Sequence, residues 1–218
     1  MQRRDPKYSL VLPPSGGYEK LVSYQVAKLL YDVTVRFVDR YIPVGSRTAD
    51  QMEQAARSGE RNIAEGSKIS ATTKKLDLNL TSVARASLDE LRLDYESFLK
   101  HRKLPLWAPM DPRRKELSNA RCKNPDEAAR WIKALWEREK EERIAAPEGP
   151  RTARTPRTVK DKAFAEISAN AGQTLCKIAI HLIDKQVESQ ARAFEKDGGF
   201  SERLYKVRSE LKAQRRGD

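Results

Sequence analysis

Residues 74–98 read KKLDLNLTSVARASLDELRLDYESF, and this stretch decides the fold class. Its apolar and small residues recur at steps of three and four, which is the spacing of one face of an α-helix. The pattern predicts a helix that starts after residues 70–73, with Ser70 or Thr72 as its cap, and continues to about Arg102. The residues predicted to face inward are Leu76, Leu80, Val83, Ser87, Leu91, Tyr95 and Phe98.

The first predicted helix, at about residues 18–41, is apolar around most of its circumference. One face carries Tyr24, Ala27, Tyr31, Thr34, Val38 and Tyr41, and a second carries Val22, Val26, Leu30, Val33 and Phe37. A helix that is apolar nearly all round is buried on more than one side. We therefore expect it either to form the centre of a bundle or to bury its second face against another subunit.

Two more helices complete the pattern. The second predicted helix begins near Thr48, with Ser46 or Thr48 as N-cap, and ends at Gly66 as a left-handed C-terminal cap. Its inward seam consists of Met52, Ala56, Gly59, Ile63 and Gly66. The fourth predicted helix covers about residues 160–196. Its inward-facing residues are Phe164, Ile167, Ala171, Leu175, Ile178 and Leu182.

An insert between the third and fourth helices contains seven of the eleven prolines. It is expected to hold a short helix from Pro125, capped by Asn124 or Asp126, then a solvated charged run and a flexible linker. The predicted fold is all-α: an antiparallel four-helix bundle with a helical, proline-rich insert before the fourth helix and a basic C-terminal tail. The predicted parts are an extended N-terminal arm (1–17), helices one to three (18–102), the insert (103–157), the fourth helix (158–197) and the tail (198–218).

The 218-residue chain is strongly basic, with 43 Lys and Arg against 31 Asp and Glu and a net charge of +12. The helical segments 18–45, 46–102 and 163–201 together carry only +1, so the excess lies in the arm, the insert and the tail. A basic surface of this kind favours polyanionic partners. No stretch is long and apolar enough to span a membrane, and the start lacks the apolar core of a secretory signal, so we expect a cytoplasmic protein.

The basic side chains are the candidate nucleic-acid contacts. They fall in the end of the insert, in the tail and at the turn between helices two and three. The candidates are Arg151, Arg154, Arg157, Lys160, Lys162, Arg203, Lys206, Arg208, Lys212, Arg215, Arg216, Lys68, Lys74 and Lys75. A solvated tail that only aids solubility is the alternative interpretation of the C-terminal set.

Five short motifs carry a resemblance to a known family. They are Tyr24-Gln25-Val26-Ala27, Asp50-Gln51-Met52, Ala55-Ala56-Arg57-Ser58, Asn62-Ile63-Ala64-Glu65-Gly66 and Ala86-Ser87-Leu88-Asp89-Glu90-Leu91. With these motifs the chain resembles the four-helix-bundle family of ribosomal-RNA intervening-sequence proteins. That family also contains the accessory variability determinant proteins of diversity-generating retroelements. The insert and basic tail look like the subgroup that carries a "four helix bundle suffix".

The resemblance implies a bundle that assembles into a ring, typically a homopentamer, without enzyme activity. In the retroelement branch it implies a basic adaptor that binds a reverse transcriptase and nucleic acid, either RNA or a DNA–RNA intermediate. The insert between helices three and four departs from the family pattern and would extend or cover such a binding surface. A protein–protein scaffold with no direct nucleic-acid role is the alternative function.

The signature residues Asn62, Glu65, Gly66, Ser87 and Glu90 allow two interpretations. Asn62 and Glu65 would either touch RNA or a partner, or end helix two and hydrogen-bond across to helix three, for example to Ser87 or Arg85. We favour the structural interpretation because a carboxylate is a poor phosphate ligand.

Catalytic and metal sites are not expected. The chain has no phosphate-binding loop, no His-Glu-x-x-His pair and no nucleophile elbow. Di-iron bundles need Glu-x-x-His, but Phe98 precedes His101 and Ile178 precedes His181 at that spacing. The carboxylates of helix three are explained by ion pairs with Arg85 and Arg92. We therefore predict neither a catalytic residue, nor a metal, nor a cofactor.

Overall fold

The computed structural model describes residues 17–70, 73–145, 156–197, 202 and 204–210. A 3₁₀ turn at Tyr18–Lys20 leads into the helices α1 (Val22–Tyr41), α2 (Arg47–Ile69), α3 (Lys74–His101), α4 (Pro112–Ala120), α5 (Pro125–Ala145) and α6 (Pro156–Asp197). All regular secondary structure in the described residues is helical, so the predicted all-α class is confirmed. None of the described helices combines the length and the apolar character that crossing a bilayer requires.

The long helix α6 holds the molecule together. Helices α1 and α3 each pack on both α2 and α6, while α4 and α5 pack on α6, and α5 also reaches α1. Every residue from 169 to 176 is buried, although these eight residues turn through more than two full turns of helix. The helix that is enclosed on all sides is therefore α6 and not α1.

Most of the apolar circumference of α1 is covered within the single chain, although Val22 at its start is 57% exposed. Both predicted faces contribute to the core, because α2 lies on one side of the helix and α6 on another. The side chains of Leu29, Leu30, Val33, Phe37 and Val38 are each at most 9% exposed. Of the two expectations for this helix, burial inside the chain is the one that the structure shows, so α1 supplies no argument for a second subunit.

Glycines set how closely the helices approach. The predicted seam of α2 is buried throughout, and a Cβ at Gly59 would overlap the side chain of Leu88 on α3. A Cβ at Gly172 on α6 would overlap the ring of Tyr95, which is fully buried and bonds Thr34 through its hydroxyl at 3.0 Å. These contacts bring α3 against both of its neighbours.

Gly66 is not the left-handed cap that we predicted. Helix α2 continues to Ile69, and the positive-φ glycines among the described residues are Gly17 and Gly45. A Cβ at Gly66 would lie 2.9 Å from Oδ1 of Asp77 on α3, so its missing side chain makes room for that carboxylate. The predicted N-cap is confirmed, since Ser46 Oγ accepts a hydrogen bond from the backbone N–H of Thr48 at 3.3 Å.

The predicted inward stripe of α3 is wrong in its N-terminal half. Leu76 and Val83 are 45% and 48% exposed, whereas Asp77 and Thr81 are buried. The prediction followed the apolar residues, but the inner face at this end is polar. The buried residues of α3 are Asp77, Thr81, Ala84, Leu88, Leu91, Tyr95, Phe98 and Leu99.

The described part of the insert, residues 103–145, contains two helices instead of one, and both belong to the core, while most of the predicted linker lies outside the described residues. Asn124 caps α5 as predicted, because its Oδ1 accepts from Glu127 N at 2.9 Å. The sequence analysis missed α4, which begins at Pro112 behind the cap Asp111. The predicted solvated run at 137–143 ends in Arg143, which pairs with the buried Glu166 at 2.8 Å. The insert residues buried in the common core include Leu104, Trp107, Leu117, Leu135 and Trp136.

A buried arginine joins the insert to α6. Arg114 on α4 is 8% exposed and donates to Gln173 Oε1, to Thr174 Oγ1 at 3.1 Å and to the carbonyl oxygens of Trp107 and Ala108. Gln173 in turn donates to Glu96 on α3 at 2.8 Å. Because burial without partners would cost several kcal/mol, this network requires the insert to stay docked.

Replacing Arg114 with methionine tests this attachment. Arg114→Met keeps the side-chain length but removes every donor, leaving Gln173 Oε1 buried without the hydrogen bond that it accepts from Arg114. We expect a loss of about 3 kcal/mol in the free energy of unfolding, measured by urea denaturation. The control Lys115→Met removes the same charge from the exposed neighbouring position and should cost less than about 0.5 kcal/mol. Equal losses in the two variants would contradict the role of the network.

Candidate nucleic-acid interface

Lysines gather at the end of the molecule where α1 and α3 begin and α2 ends. Lys68 lies in the last turn of α2, with its ammonium 5.1 Å from the ring centre of Tyr18 in the 3₁₀ turn that also contains Lys20. Lys74 is the first residue of α3, and Lys185 approaches it from α6. We call this surface the lysine end and define it by Lys20, Lys68, Lys74 and Lys185.

A cavity of about 440 Å³ opens at the lysine end, and Leu21, Val22 and Leu182 form the apolar part of its lining. Lys74 and Lys185 line it together with hydroxyl and amide side chains from α1, α2 and its C-cap, and α6. The polar lining residues are Ser23, Ser67, Ser70, Gln186, Ser189 and Gln190. Ammonium groups and hydroxyls are the donors with which proteins contact phosphate and sugar oxygens.

A buried carboxylate forms the floor of this cavity. Asp77 is 1% exposed and accepts a hydrogen bond from Gln190 Nε2 at 3.0 Å, and the other amide atom, Gln190 Oε1, is buried without a partner. Burial raises the pKa of Asp77, while Lys74 and the hydrogen bond from Gln190 oppose that rise. Protonation of Asp77 therefore makes the lysine end more positive.

The charge of Asp77 makes stability depend on pH. An acid with a raised pKa binds its proton more tightly in the folded chain, so stability is lost as pH rises from the unfolded value, near 3.8, through the folded value. Asp77→Asn removes the charge, and its amide can donate to Gln190 Oε1. We expect urea denaturation to show the variant about 1 kcal/mol more stable than the parent at pH 7, with the advantage shrinking toward pH 4.

Asp50→Asn, at an exposed position in the first turn of α2, is the matched control for this change. It should show no such pH-dependent gain. A parent and an Asp77→Asn variant that lose stability in parallel between pH 4 and pH 7 would contradict the assignment.

A second basic cluster lies at the opposite end of α6. Arg157, Lys160 and Lys162 are exposed, and the Lys160 ammonium is 5.9 Å from the ring centre of Phe164. The cluster is mixed in sign, because a hydrogen bond from Lys140, with weaker effects of Lys133 and Lys160, lowers the pKa of the nearby Glu137 carboxylate. Acidic side chains on the same surface therefore offset the positive charge of these basic residues.

The structure divides the predicted basic set between two distant ends. Gln190 at the lysine-end cavity follows Lys160 by 30 residues on α6, which is about 45 Å along the helix axis. Lys68 and Lys74 belong to the lysine end, and Lys75 is exposed beside it on α3. In the tail, Lys206 and Arg208 are exposed on helical residues 204–210. The candidates outside the described residues are Arg151, Arg154, Arg203, Lys212, Arg215 and Arg216.

The signature residues are mostly structural in their contacts. Asn62 Nδ2 donates to Ser58 Oγ at 3.1 Å, and Ser87 Oγ on α3 donates to the same oxygen at 3.0 Å. The expected link from Asn62 to helix three therefore exists, but it passes through Ser58. Glu65 and Glu90 are exposed, so neither is a buried cross-helix partner.

The carboxylates of α3 are in ion pairs, one of which differs from the prediction. Arg92 pairs with Glu96 at 2.6 Å, as expected, and also with Asp89 at 2.7 Å. Arg85 pairs with Asp184 on α6 at 2.6 Å instead of with Asp89. Over the described ranges, no group of three His, Cys, Asp or Glu side chains is placed to hold a metal ion.

Two residues of the lysine end, Lys185 and Asp77, were not predicted from the sequence. Lys185 was not selected because it is isolated in the sequence, and it pairs with Glu188 at 3.1 Å on the surface. Asp77 was not selected because it sits beside the apolar Leu76. The signal that would have found both is topological: in antiparallel packing the start of α3 lies beside the C-terminal part of α6.

An apolar cleft of about 450 Å³ lies between α1, α5 and α6. The ion pair Arg36–Asp126, 2.6 Å long, joins α1 to α5 beside it. The apolar lining residues are Val33, Phe37, Tyr41, Pro125, Ala128, Ala129, Ile132 and Phe164. The cleft exists only because the insert docks on the long helices.

The chain was compared with family models, with curated proteins and with solved structures, and none of the three comparisons gave a match.

Proposed function

We propose that this protein is a non-enzymatic adaptor that binds RNA, or a DNA–RNA intermediate, electrostatically through the lysine end. The observation that carries the proposal is that Lys74 and Lys185 line a cavity together with hydroxyl and amide groups, while Lys68 lies against Tyr18 at the same end of the molecule. A net charge of +12 adds long-range attraction for polyanions. Contacts of this kind bind backbone phosphates without reading base sequence.

The sequence resemblance adds a partner to this proposal. We propose that the four long helices α1, α2, α3 and α6 form an antiparallel four-helix bundle of the adaptor type, and that it scaffolds a reverse transcriptase. A homo-oligomer, with the homopentamer as the copy number that the resemblance implies, belongs to the same proposal. Because most of the apolar surface of α1 is buried inside the chain, a subunit contact would use mainly other surfaces.

A protein–protein scaffold without a nucleic-acid role is the second candidate function, and the apolar cleft favours it. Its lining is largely apolar, and Ala129 at its edge is exposed. If this candidate is correct, Ala129→Glu abolishes binding of the protein partner, and the wild-type chain does not bind RNA. Deleting the whole insert is not a usable test, because Leu104, Trp107 and Trp136 belong to the common core.

Fluorescence anisotropy with a structured RNA tests the proposal. The double variant Lys68→Gln/Lys74→Gln removes two cations from the lysine end. We expect RNA affinity at low salt to fall about tenfold and the slope of log Kd against log salt to fall by about one to two. The wild-type chain should lose affinity steeply as salt increases.

The matched control is Lys160→Gln/Lys162→Gln, which removes the same charge from the far end of α6. It should weaken RNA binding less than about threefold, because those lysines lie about 35 to 38 Å from Lys185 along the axis of α6. Binding that does not change with salt, or an equal loss in both double variants, would contradict the assignment of the lysine end. Absence of RNA binding by the wild-type chain would remove the nucleic-acid function itself.

A further inference from the structure

The outer face of α3 carries apolar side chains that no described residue covers. Helix α3 packs on α2 and α6 through its other faces. Leu76, Val83 and Leu93 lie on the outer face and are 45%, 48% and 48% exposed. The large exposed apolar side chains of α3 therefore share one stripe.

This stripe has the spacing of a coiled-coil seam. The exposed residues on it alternate at steps of three and four over eighteen residues, which is a heptad repeat. The residues at these positions are Leu76, Asn79, Val83, Ala86, Glu90 and Leu93. A seam of this length needs a second helix with a matching pattern.

A second copy of α3, running antiparallel, supplies that pattern. A heptad repeat has two core positions, a and d. In an antiparallel coiled coil each layer of the seam pairs an a residue of one helix with a d residue of the other. A two-fold axis between residues 84 and 85 places Leu76 opposite Leu93, Asn79 opposite Glu90 and Val83 opposite Ala86. Each apolar residue then meets an apolar residue, and the amide of Asn79 can donate to the carboxylate of Glu90.

Other arrangements of two α3 helices are worse matched. A parallel pair would place Glu90 opposite Glu90, bringing like charges together in the seam. An antiparallel pair shifted by one heptad would place Lys100 opposite Leu76 and Glu90 opposite Ala86. The opposite shift would place Asn79 opposite Val83 and leave Leu93 without a partner. The register centred between residues 84 and 85 is the one that both places every apolar residue opposite an apolar residue and gives Glu90 an uncharged polar partner.

The residues that flank the seam have complementary charge in this register. Lys75, Ser82, Asp89 and Glu96 form one edge of the stripe, and in an antiparallel pair this edge faces the same edge of the second copy. Lys75 is exposed and lies opposite the partly exposed Glu96, while Ser82 lies opposite Asp89. The two-fold axis repeats each of these contacts.

We propose that the outer face of α3 is a self-association surface that pairs two copies of this chain in an antiparallel, two-fold dimer. The surface is self-complementary, as a two-fold interface must be. This inference goes beyond the proposed function and does not depend on nucleic-acid binding. Contacts of this kind close on themselves, so on their own they build a dimer and not a five-membered ring.

Replacement of the central valine tests whether this face associates. Val83→Glu places carboxylates in the two central layers, where each would face Ala86 of the second copy, and we expect the dimer dissociation constant to rise at least tenfold. The measurement is sedimentation equilibrium of the full chain, in a concentration series reaching the millimolar range. The control Val44→Glu makes the same change at a fully exposed position in the α1–α2 loop and should leave dimerisation unchanged.

The pair Ser82→Lys and Ser82→Glu tests the antiparallel register. Position 82 is exposed in the single chain, so both variants should fold, which circular dichroism would verify. In the proposed register the ammonium introduced by Ser82→Lys would face Asp89 in both copies and strengthen the dimer about threefold. The carboxylate introduced by Ser82→Glu would face the same Asp89 and weaken the dimer by a similar factor.

The proposal is overturned by a chain that stays monomeric through the whole series. An oligomer of any size that Val83→Glu leaves intact would overturn it as well. A dimer in which Ser82→Lys and Ser82→Glu act equally would overturn the register. RNA affinity is measured separately, so failure of the dimer and failure of the lysine end are distinguishable.

Discussion

The enclosure of α6 by the rest of the chain is the constraint on which the structure depends. Residues 169–176 are buried on every side, and three of them, Asn170, Gln173 and Thr174, are polar. Four of their side-chain hydrogen bonds are made with the insert: Asn170 binds the backbone of Pro105 and Trp107, and Arg114 binds Gln173 and Thr174. A helix with this polar stripe is stable in the core only when the insert is docked against it.

This constraint determines where positive charge can act. Because the insert is bound to α6, its cations form a mixed-sign surface at one end of the molecule, whereas Lys74 and Lys185 line a cavity at the other end, where Lys68 also lies. The proposed nucleic-acid binding and the proposed self-association use separate surfaces, the lysine end and the outer face of α3. In the proposed dimer the two lysine ends point in opposite directions, so that one dimer would contact two segments of nucleic acid.

The long helices could be predicted because the spacing of apolar residues in the sequence indicates a helix directly. The predicted inward-facing residues of α2 and its N-cap Ser46 are confirmed. The predictions failed where an apolar residue is exposed or a polar residue is buried. Leu76 is exposed while Asp77 beside it is buried against Gly66, and local pattern cannot show that a glycine on another helix makes room for a carboxylate. The separation of the basic residues into two ends also depends on topology. Their similar composition does not show that the long helix α6 places them at opposite ends of the molecule.

The most direct test of the account is a lysine footprint of the protein bound to RNA. Each lysine would be acetylated in the free and the RNA-bound full chain, and its modification measured by mass spectrometry. The account predicts strong protection of Lys68 and Lys74 and unchanged modification of Lys160 and Lys162. Protection confined to Lys160 and Lys162, or protection of no lysine in a chain that has bound RNA, would contradict it.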